Sequence, residues 1–380
     1  MMRLRGCSGR YRTRRSLRPG DTEVVQGDGG RGSLDLAADW RKESGQPLLS
    51  IRGLNVSFLV GRKTVDIVRD LDLDIMPDSI VCIVGETGCG KSVTATSVLH
   101  LLPDNARVTG SIRFKGCEVA GLSDEEYRAL RGHEIMSIPQ NPTASLDPLM
   151  RVGSQVEECV EVIHRFRERE RRLRGGDDER RQEVVRLFER LALPKPDETY
   201  RRYPCELSGG MNQRVLISMG AITHPWLLVV DEPTKAIDWS LRRSVFELLQ
   251  SLKDDMSCAM MLITHDIPLA RKLADRVAVM YAGRIVEQGA CADVLGHPRH
   301  PYTEGLLGSL PENGFKPMAG FMPSFDDLPR GCSFWPRCVY ATEECRSELP
   351  PCQDLGEHTV QCWHPLVLSG HRDAREVDAG

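Results

Sequence analysis

The sequence has no long apolar run. Short stretches such as Trp226–Val230 and Ala259–Ile263 are its longest, whereas a membrane-spanning helix needs about 20 consecutive apolar residues. The N-terminal stretch is rich in arginine but has no apolar segment of the kind that a secretory signal contains. The sequence therefore predicts a chain without a membrane span that lies in the cytoplasm.

An excess of basic charge is also absent. The chain has 50 basic and 54 acidic residues and a formal net charge of -4, so it has no electrostatic footprint for nucleic acid. Its 380 residues are 41% apolar and 27% charged, which is typical of a globular chain of about two or three domains. Binding to DNA or RNA is therefore not the expected activity.

Cysteine is unevenly distributed. Of the 13 cysteines, eight are scattered singly and five lie between Cys332 and Cys362, with Cys352 as an extra thiol. In a reducing compartment such a cluster is more typical of metal binding than of disulfides. Four thiolates can enclose a [4Fe-4S] cluster or Zn²⁺, and metal-free thiols are the alternative. The four candidate ligands are Cys332, Cys338, Cys345 and Cys362.

Changes in composition divide the chain into three parts. Residues 1–47 lack apolar periodicity and are expected to be a disordered leader or the result of a start codon assigned too far upstream. Alternating strand and helix patterns predict an α/β domain over 48–296, with a helical insertion over about 140–222. Residues 297–380 are rich in Pro, Gly and Cys and predict a small appended domain.

A glycine-rich loop follows the apolar strand predicted at Ile80–Val84 and precedes an apolar helix. In this setting glycines let backbone N–H groups converge on phosphates at a helix N-terminus. Lys91 would bind the β- and γ-phosphates, and Ser92 would bind Mg²⁺. The predicted phosphate loop consists of Gly85, Glu86, Thr87, Gly88, Cys89, Gly90, Lys91 and Ser92.

Two acidic residues, Asp231 and Glu232, end an apolar strand that begins at Leu227. Ligands of parallel α/β sheets bind at the carboxyl edge of the strands. Asp231 would hold the metal shell, and Glu232 would polarise the water that attacks the γ-phosphate. An acidic pair that only caps a helix or faces solvent is the simpler alternative.

Between these two motifs lies a segment that begins at Leu207 and includes Ser208, Gly209 and Gly210. It resembles the signature sequence of ABC ATPases. Ser208 is a good helix N-cap, and the glycines leave the helix N-terminus open to an anion. The resemblance implies an ABC-type P-loop nucleotide-binding domain of α/β class, with a helical subdomain and a small Cys-rich C-terminal domain. It also implies a head-to-tail dimer in which the signature contacts ATP on the opposite subunit.

Four further positions match motifs of the same family. The resemblance implies that Gln140 touches Mg²⁺ and the attacking water, that Asp238 acts across the dimer, and that His265 contacts the γ-phosphate. Phe58 lies where the family stacks an aromatic ring on adenine, although it is equally well explained as a core residue of its strand. The resemblance thus predicts catalytic roles for Glu232, His265 and Gln140.

Within the ABC family, the segments Pro142–Pro148 and His297–Thr303 and the cysteine-rich tail resemble the oligopeptide, dipeptide and nickel importer ATPases. This resemblance covers about residues 48–365 and favours an iron–sulfur cluster on the four cysteines. Lys235 departs from the group, which has a small hydroxyl residue there, and Asn212 stands where arginine is common.

The resemblance implies an ATP hydrolase on the cytoplasmic side of the cell membrane that energises uptake of oligopeptides or dipeptides. Expected partners are two membrane-spanning permeases, a second ATPase subunit or a second copy, and an extracytoplasmic solute-binding protein. A nickel importer ATPase is the alternative. A non-transport ABC ATPase of translation or DNA repair is disfavoured, because the chain has one phosphate loop, one signature and no long heptad segment.

Overall fold

A computed structural model describes residues 45–167, 177–234, 245–247, 249–253 and 258–367. Most of the predicted leader, part of the predicted helical insertion, and both Lys235 and Asp238 lie outside the described residues.

An antiparallel sheet of four strands precedes and follows the phosphate loop in sequence. Its order is β2-β1-β4-β5, and its alternating buried apolar residues, such as Leu71, Leu73 and Ile75, face a shared core. The strands are β1 (Leu49–Val60), β2 (Lys63–Ile75), β4 (Ala106–Phe114) and β5 (Cys117–Glu118).

The main sheet has eight strands in the order β11-β12-β10-β9-β3-β8-β7-β6. Its five strands from β9 to β6 are mutually parallel, and those described next to β9 on the other side are antiparallel. Strand β3 is buried along its whole length, as expected for a central parallel strand. The strands are β3 (Ile80–Val84), β6 (Ile135–Ile138), β7 (Leu227–Asp231), β8 (Ala259–Thr264), β9 (Arg276–Tyr281), β10 (Arg284–Ala290), β11 (Cys352–Asp354) and β12 (Thr359–Gln361).

Helices connect the parallel strands, and most of them lie between β6 and β7. The strands and helices predicted after Leu227 are confirmed, and residues 245–247 and 249–253 are helical between β7 and β8. Ser123 and Glu126 form a capping box at the start of a short helix before β6. The helices are α1 (Lys91–Val98), α2 (Asp124–Tyr127), α3 (Pro142–Ser145), α4 (Val152–Arg167), α5 (Asp177–Arg190), α6 (Pro196–Tyr200), α7 (Gly209–Ala221), α8 (Ile267–Leu273), α9 (Cys291–Gly296), α10 (Pro301–Gly308) and α11 (Glu343–Ser347).

The segment after residue 297 is continuous with the main sheet. Strand β12 pairs with β10 through Glu287 opposite Val360, and Tyr302, Leu307 and Phe334 are buried in the same hydrophobic cluster as β3. The predicted appended segment therefore packs directly onto the ATPase sheet.

Every helix among the described residues is too short or too polar to span a bilayer.

Candidate nucleotide site

Register in the parallel sheet brings four loops to one edge. Val84 pairs with Thr264, Asp231 pairs with Ile263, and Ile138 pairs with Val230. The phosphate loop, His265, the acidic pair and Gln140 each follow one of these strands. The structure thus places the sequence-predicted motifs at the carboxyl edge of neighbouring strands, where ligands of such sheets bind.

The phosphate loop has a backbone that only glycine adopts easily. Gly85 and Gly90 have φ values of 155° and 111°, a region that L side chains rarely occupy. A Cβ on Gly85 would lie 2.2 Å from the Met280 carbonyl oxygen, because the loop packs against the end of β9. Gly90 is the N-cap of α1, so the loop leads into a helix N-terminus that favours anions.

Lys91 is folded into this loop. Its ammonium donates hydrogen bonds to the Gly85 and Glu86 carbonyl oxygens at 2.8 Å and 2.9 Å, and the residue is 5% exposed. Buried ammonium groups need such oxygen partners. Phosphate oxygens would take the place of these carbonyls, which suits the role predicted for Lys91.

Glu232 has the most unusual backbone of the predicted catalytic residues. Its φ is 46°, in the left-handed region that costs a non-glycine residue roughly 1–2 kcal/mol. The Glu232 N–H donates to Ile263 O at 2.8 Å, and Glu232 Oε2 lies 2.7 Å from His265 Nδ1. Strained backbones of this kind are concentrated at functional sites. Here the Glu232 backbone directs a nearly buried carboxylate toward the half-exposed imidazole of His265.

Three of the predicted Mg²⁺ contacts, Ser92, Gln140 and Asp231, lie around this edge of the sheet. Among the described ranges, no group of three or more His, Cys, Asp or Glu side chains is placed to hold a metal ion. Mg²⁺ at phosphate sites usually takes one or two protein ligands together with waters and phosphate oxygens. Ser92, Gln140 and Asp231 therefore fit a Mg²⁺ ion that binds together with the phosphates of a nucleotide.

The signature segment begins α7. Ser208 is its N-cap, and the hydroxyl accepts a hydrogen bond from the Met211 N–H at 3.3 Å, as predicted. A Cβ on Gly209 would meet no atom within 4 Å, so the helix N-terminus is open. Asn212 is buried and donates to the Pro204 carbonyl oxygen at 3.0 Å, which gives this departure from the family a structural role.

Phe58 is a partly buried residue of β1 and packs against the hydrophobic cluster that contains Cys89. Its predicted contact with adenine stays a prediction. Asp238 lies outside the described residues, and its predicted role across a dimer also stays a prediction.

The four candidate cysteine ligands line one small cavity together with residues such as Phe334 and Trp335. Burial, together with the neighbouring cysteines, raises the pKa of Cys332 to about 11 and that of Cys362 to about 12. The four thiols are therefore close enough to interact, although within the described part of the chain their spacing does not form a site for a single metal ion.

Sequence reasoning missed two residues that contact the phosphate loop. The Tyr302 hydroxyl accepts a hydrogen bond from the Glu86 N–H at 2.9 Å, and Arg337 Nη1 lies 3.0 Å from Glu86 Oε2. Tyr302 belongs to the His297–Thr303 segment, whose resemblance to the importer ATPases predicts no contact for Tyr302. Arg337 has no sequence signal beyond its place among the cysteines.

Two family models match the chain. The model described as ABC transporter matches residues 68–235. The model described as oligopeptide/dipeptide transporter, C-terminal region, matches residues 286–345. Together the matches span the phosphate loop, the signature and three of the four candidate cysteine ligands, Cys332, Cys338 and Cys345.

Similar curated proteins extend over most of the chain. A putative peptide import ATP-binding protein of Brucella ovis is 37% identical over a match 333 residues long, and the match covers 83% of this chain and 96% of that protein. The dipeptide transport ATP-binding protein DppD of Bacillus subtilis is 38% identical over 346 residues, and the match covers 87% of this chain and 100% of that protein.

Solved structures share the fold at low sequence identity. A dimeric ATP-binding cassette bound to ADP and phosphate has a TM-score of 0.56 at 22% identity and covers 64% of this chain and 98% of that one. The structure of cbiO1 from Clostridium perfringens has a TM-score of 0.53 at 22% identity, and the match covers 66% of this chain and 91% of that one.

The fold and the loops at its sheet edge define a P-loop ATPase. The relatives identify it further: the chain belongs to the ABC transporter ATP-binding family, whose members use ATP and Mg²⁺ and couple ATP hydrolysis to transport.

Proposed function

We propose that this chain is the ATP-hydrolysing subunit of an importer for oligopeptides or dipeptides. The observation that supports this most strongly is the match of residues 286–345 to the oligopeptide/dipeptide transporter C-terminal region, in the same chain as an ABC ATPase domain. The names of the similar Brucella and Bacillus proteins point the same way.

In the proposed reaction, Glu232 is the general base. Its carboxylate accepts a proton from the water that attacks the γ-phosphate, while ADP leaves. His265, 2.7 Å from that carboxylate, contacts the γ-phosphate and keeps Glu232 in place. Lys91 and the N–H groups of the phosphate loop bind the phosphate oxygens, because they are the cationic and dipolar groups at this edge.

Mg²⁺ would neutralise phosphate charge when bound, held by Ser92 and Gln140 with Asp231 in its outer shell. Gln140 follows β6 at the start of the helical region, so it can relay the state of the nucleotide to the helices after it. The open N-terminus of α7 and Asp238 would act on the nucleotide of the opposite subunit, and Phe58 would stack on adenine.

The chain would work at the cytoplasmic face of the cell membrane. Its partners would be two membrane-spanning permeases, a second ATPase subunit that is a paralogue or another copy, and an extracytoplasmic solute-binding protein. This assembly is supported by the described helices, which are too short or too polar to span a bilayer, and by relatives that are named as import ATP-binding proteins.

The four cysteines would hold a [4Fe-4S] cluster. The alternative, a single Zn²⁺ ion, would require the four described thiols to move into a tetrahedral site that they do not form in the structure. The support is the chemistry of the donor set, since four thiols line one cavity and thiolates are the ligands that such clusters require. Anaerobic purification followed by iron, sulfide and zinc analysis tests this. A metal-free preparation that still assembles with its partners would reject both metals.

The proposed function is tested by purifying the chain from its native membranes in mild detergent and identifying its companions by mass spectrometry. We expect two polytopic membrane proteins, a second ATPase and a solute-binding protein that binds peptides in titrations. A solute-binding protein that takes Ni²⁺ instead would replace peptide by nickel as the cargo. Recovery with ribosomes or DNA-processing proteins from the soluble fraction would reject transport and leave the ATPase chemistry intact.

A further inference from the structure

Each polar group of Glu86, the second residue of the phosphate loop, has a hydrogen-bond or ion-pair partner. Its carbonyl oxygen accepts from Lys91, its N–H donates to Tyr302 at 2.9 Å, and its carboxylate lies 3.0 Å from Arg337. The last two partners come from the segment after residue 297, more than 200 residues away in sequence. The C-terminal segment therefore contacts the loop that binds phosphate.

The side chain of Arg337 is mostly covered and has several partners. Its side chain is 6% exposed, compared with 27% for Glu86. Besides Glu86, its Nε donates to the Ala319 carbonyl oxygen at 3.0 Å, and Nη1 lies 3.4 Å from the Tyr281 hydroxyl at the end of β9. A planar guanidinium held on two sides has one orientation, so Arg337 fixes where the Glu86 carboxylate points.

Tyr302 is held as firmly. Its ring is fully buried and packs against the rings of Tyr281 and Phe334 at centroid distances of 4.5 Å and 5.4 Å. The buried Glu287 carboxylate accepts hydrogen bonds from the backbone N–H groups just before α10, at Arg299 and His300. The Tyr302 hydroxyl is thereby presented to the phosphate loop at a fixed position.

The ion pair between Arg337 and Glu86 affects nucleotide binding because it compensates a negative charge within the phosphate loop. The phosphate loop receives a polyanion, and a carboxylate within that loop opposes it by like-charge repulsion. Arg337 neutralises the Glu86 carboxylate and directs it toward the C-terminal segment. Without the guanidinium, the carboxylate would remain partly buried and uncompensated beside the phosphate site.

Arg337 also lies next to the cysteine-lined cavity. It is the last residue of the short turn Trp335–Arg337. Cys332 precedes this turn in sequence and Cys338 follows it, and both line the cavity together with Trp335. A shift of this turn by about 1 Å would stretch a 3.0 Å hydrogen bond beyond its useful range.

We propose that Arg337 is a positioning residue for the phosphate loop, through which the cysteine-lined cavity sets the affinity for ATP. The inference rests on the proposed ATP-binding function of the loop. Arg337 touches neither the attacking water nor the leaving phosphate in this scheme, so its effect belongs to binding and not to the chemical step.

The test is titration of the purified full chain with a fluorescent ATP analogue, followed by turnover measurements in the membrane complex. Arg337→Met should weaken nucleotide binding roughly tenfold, because it removes a hydrogen bond between charged groups. The KM for ATP should rise by a similar factor, with kcat changed by less than about twofold. Arg337→Lys should recover part of the affinity.

Two further variants separate charge neutralisation from general damage. Glu86→Gln removes the carboxylate, and the double variant Glu86→Gln/Arg337→Met should bind ATP with the same affinity as Glu86→Gln alone, because no carboxylate is left to compensate. Arg181→Met is the control: Arg181 forms an ion pair with exposed Asp197 in the helical region, and its loss should leave nucleotide affinity unchanged.

Coupling to the cavity is tested with Cys338→Ser. This substitution should weaken nucleotide binding in the wild-type background and have no further effect beside Arg337→Met. If the losses of affinity caused by Cys338→Ser and Arg337→Met added up in the double variant, the inference would be wrong and the proposed function would stand. The same holds if Arg337→Met binds ATP with unchanged affinity while the wild-type chain binds ATP. Failure of the wild-type chain itself to bind ATP would overturn the proposed function and the inference with it.

Discussion

Replacement of Glu232 by glutamine isolates the chemical step from nucleotide binding. Glutamine has the same shape and backbone preferences, so the cost of the left-handed backbone, with φ at 46°, is the same in both proteins. What changes is the proton acceptor, because an amide does not take a proton from water. Glu232→Gln should therefore bind ATP like the wild type and lose turnover.

The magnitude follows from the role of a general base. Such a group contributes about a hundredfold to ten-thousandfold, which corresponds to about 2.7–5.5 kcal/mol of activation free energy. The carboxylate side chain is 9% exposed and lies 2.7 Å from His265 Nδ1, so solvent is a poor substitute for it. We expect a loss within this range.

The assay is phosphate release by the detergent-purified complex at saturating ATP, with binding measured separately by titration. Glu312→Gln is the control, because Glu312 forms a half-exposed ion pair with Arg271 and its loss should leave turnover unchanged. Turnover of Glu232→Gln near that of the wild type in the assembled complex would refute the assignment of Glu232 as the base.

Three further predictions concern the stability and reactivity of the chain. Ser208→Ala removes the N-cap of α7 and should lower the free energy of unfolding by about 1 kcal/mol in urea titrations, whereas equal stability would contradict the capping role. Gly153→Ala places a Cβ 2.2 Å from the Tyr200 ring, whereas a Cβ on Gly121 meets no atom within 4 Å. Gly153→Ala should therefore destabilise by about 1–3 kcal/mol and Gly121→Ala by much less; equal thermal midpoints would refute this packing. Burial raises the pKa of Cys159 to about 11 and that of Cys258 to about 12, so at pH 8 iodoacetamide should label exposed Cys205 and spare Cys159 and Cys258, since the thiolate is the nucleophile. Labelling of Cys159 and Cys258 ahead of Cys205, seen by mass spectrometry of the native chain, would contradict this.

Local chemistry made much of the site predictable. A glycine-rich loop after a continuous apolar strand, acidic residues at the end of another, and a serine cap before two glycines each have a local physical cause. Gly85 and Ser208 have the positions expected from these patterns. Parallel pairing then brings the strand ends together, because it aligns their carboxyl edges.

Long-range contacts were not predictable in the same way. The pairing of Glu86 with Arg337 joins residues 251 positions apart, and no periodicity or motif encodes such a contact. The same holds for the addition of β12 to the edge of the main sheet beside β10, since a three-residue strand has too few residues to show an alternating pattern. Both features depend on how the C-terminal segment folds back over the domain.

The proposal of an ATP-driven peptide importer subunit is tested most directly by uptake of a labelled dipeptide into cells. Cells with the wild-type chain are compared with cells in which Lys91→Ala replaces it, after equal amounts of both proteins are found in the membrane fraction. We predict that wild-type cells accumulate the peptide and that Lys91→Ala cells do not, because the phosphate loop has lost the ammonium that binds ATP. Equal uptake by the two strains would contradict the central claim.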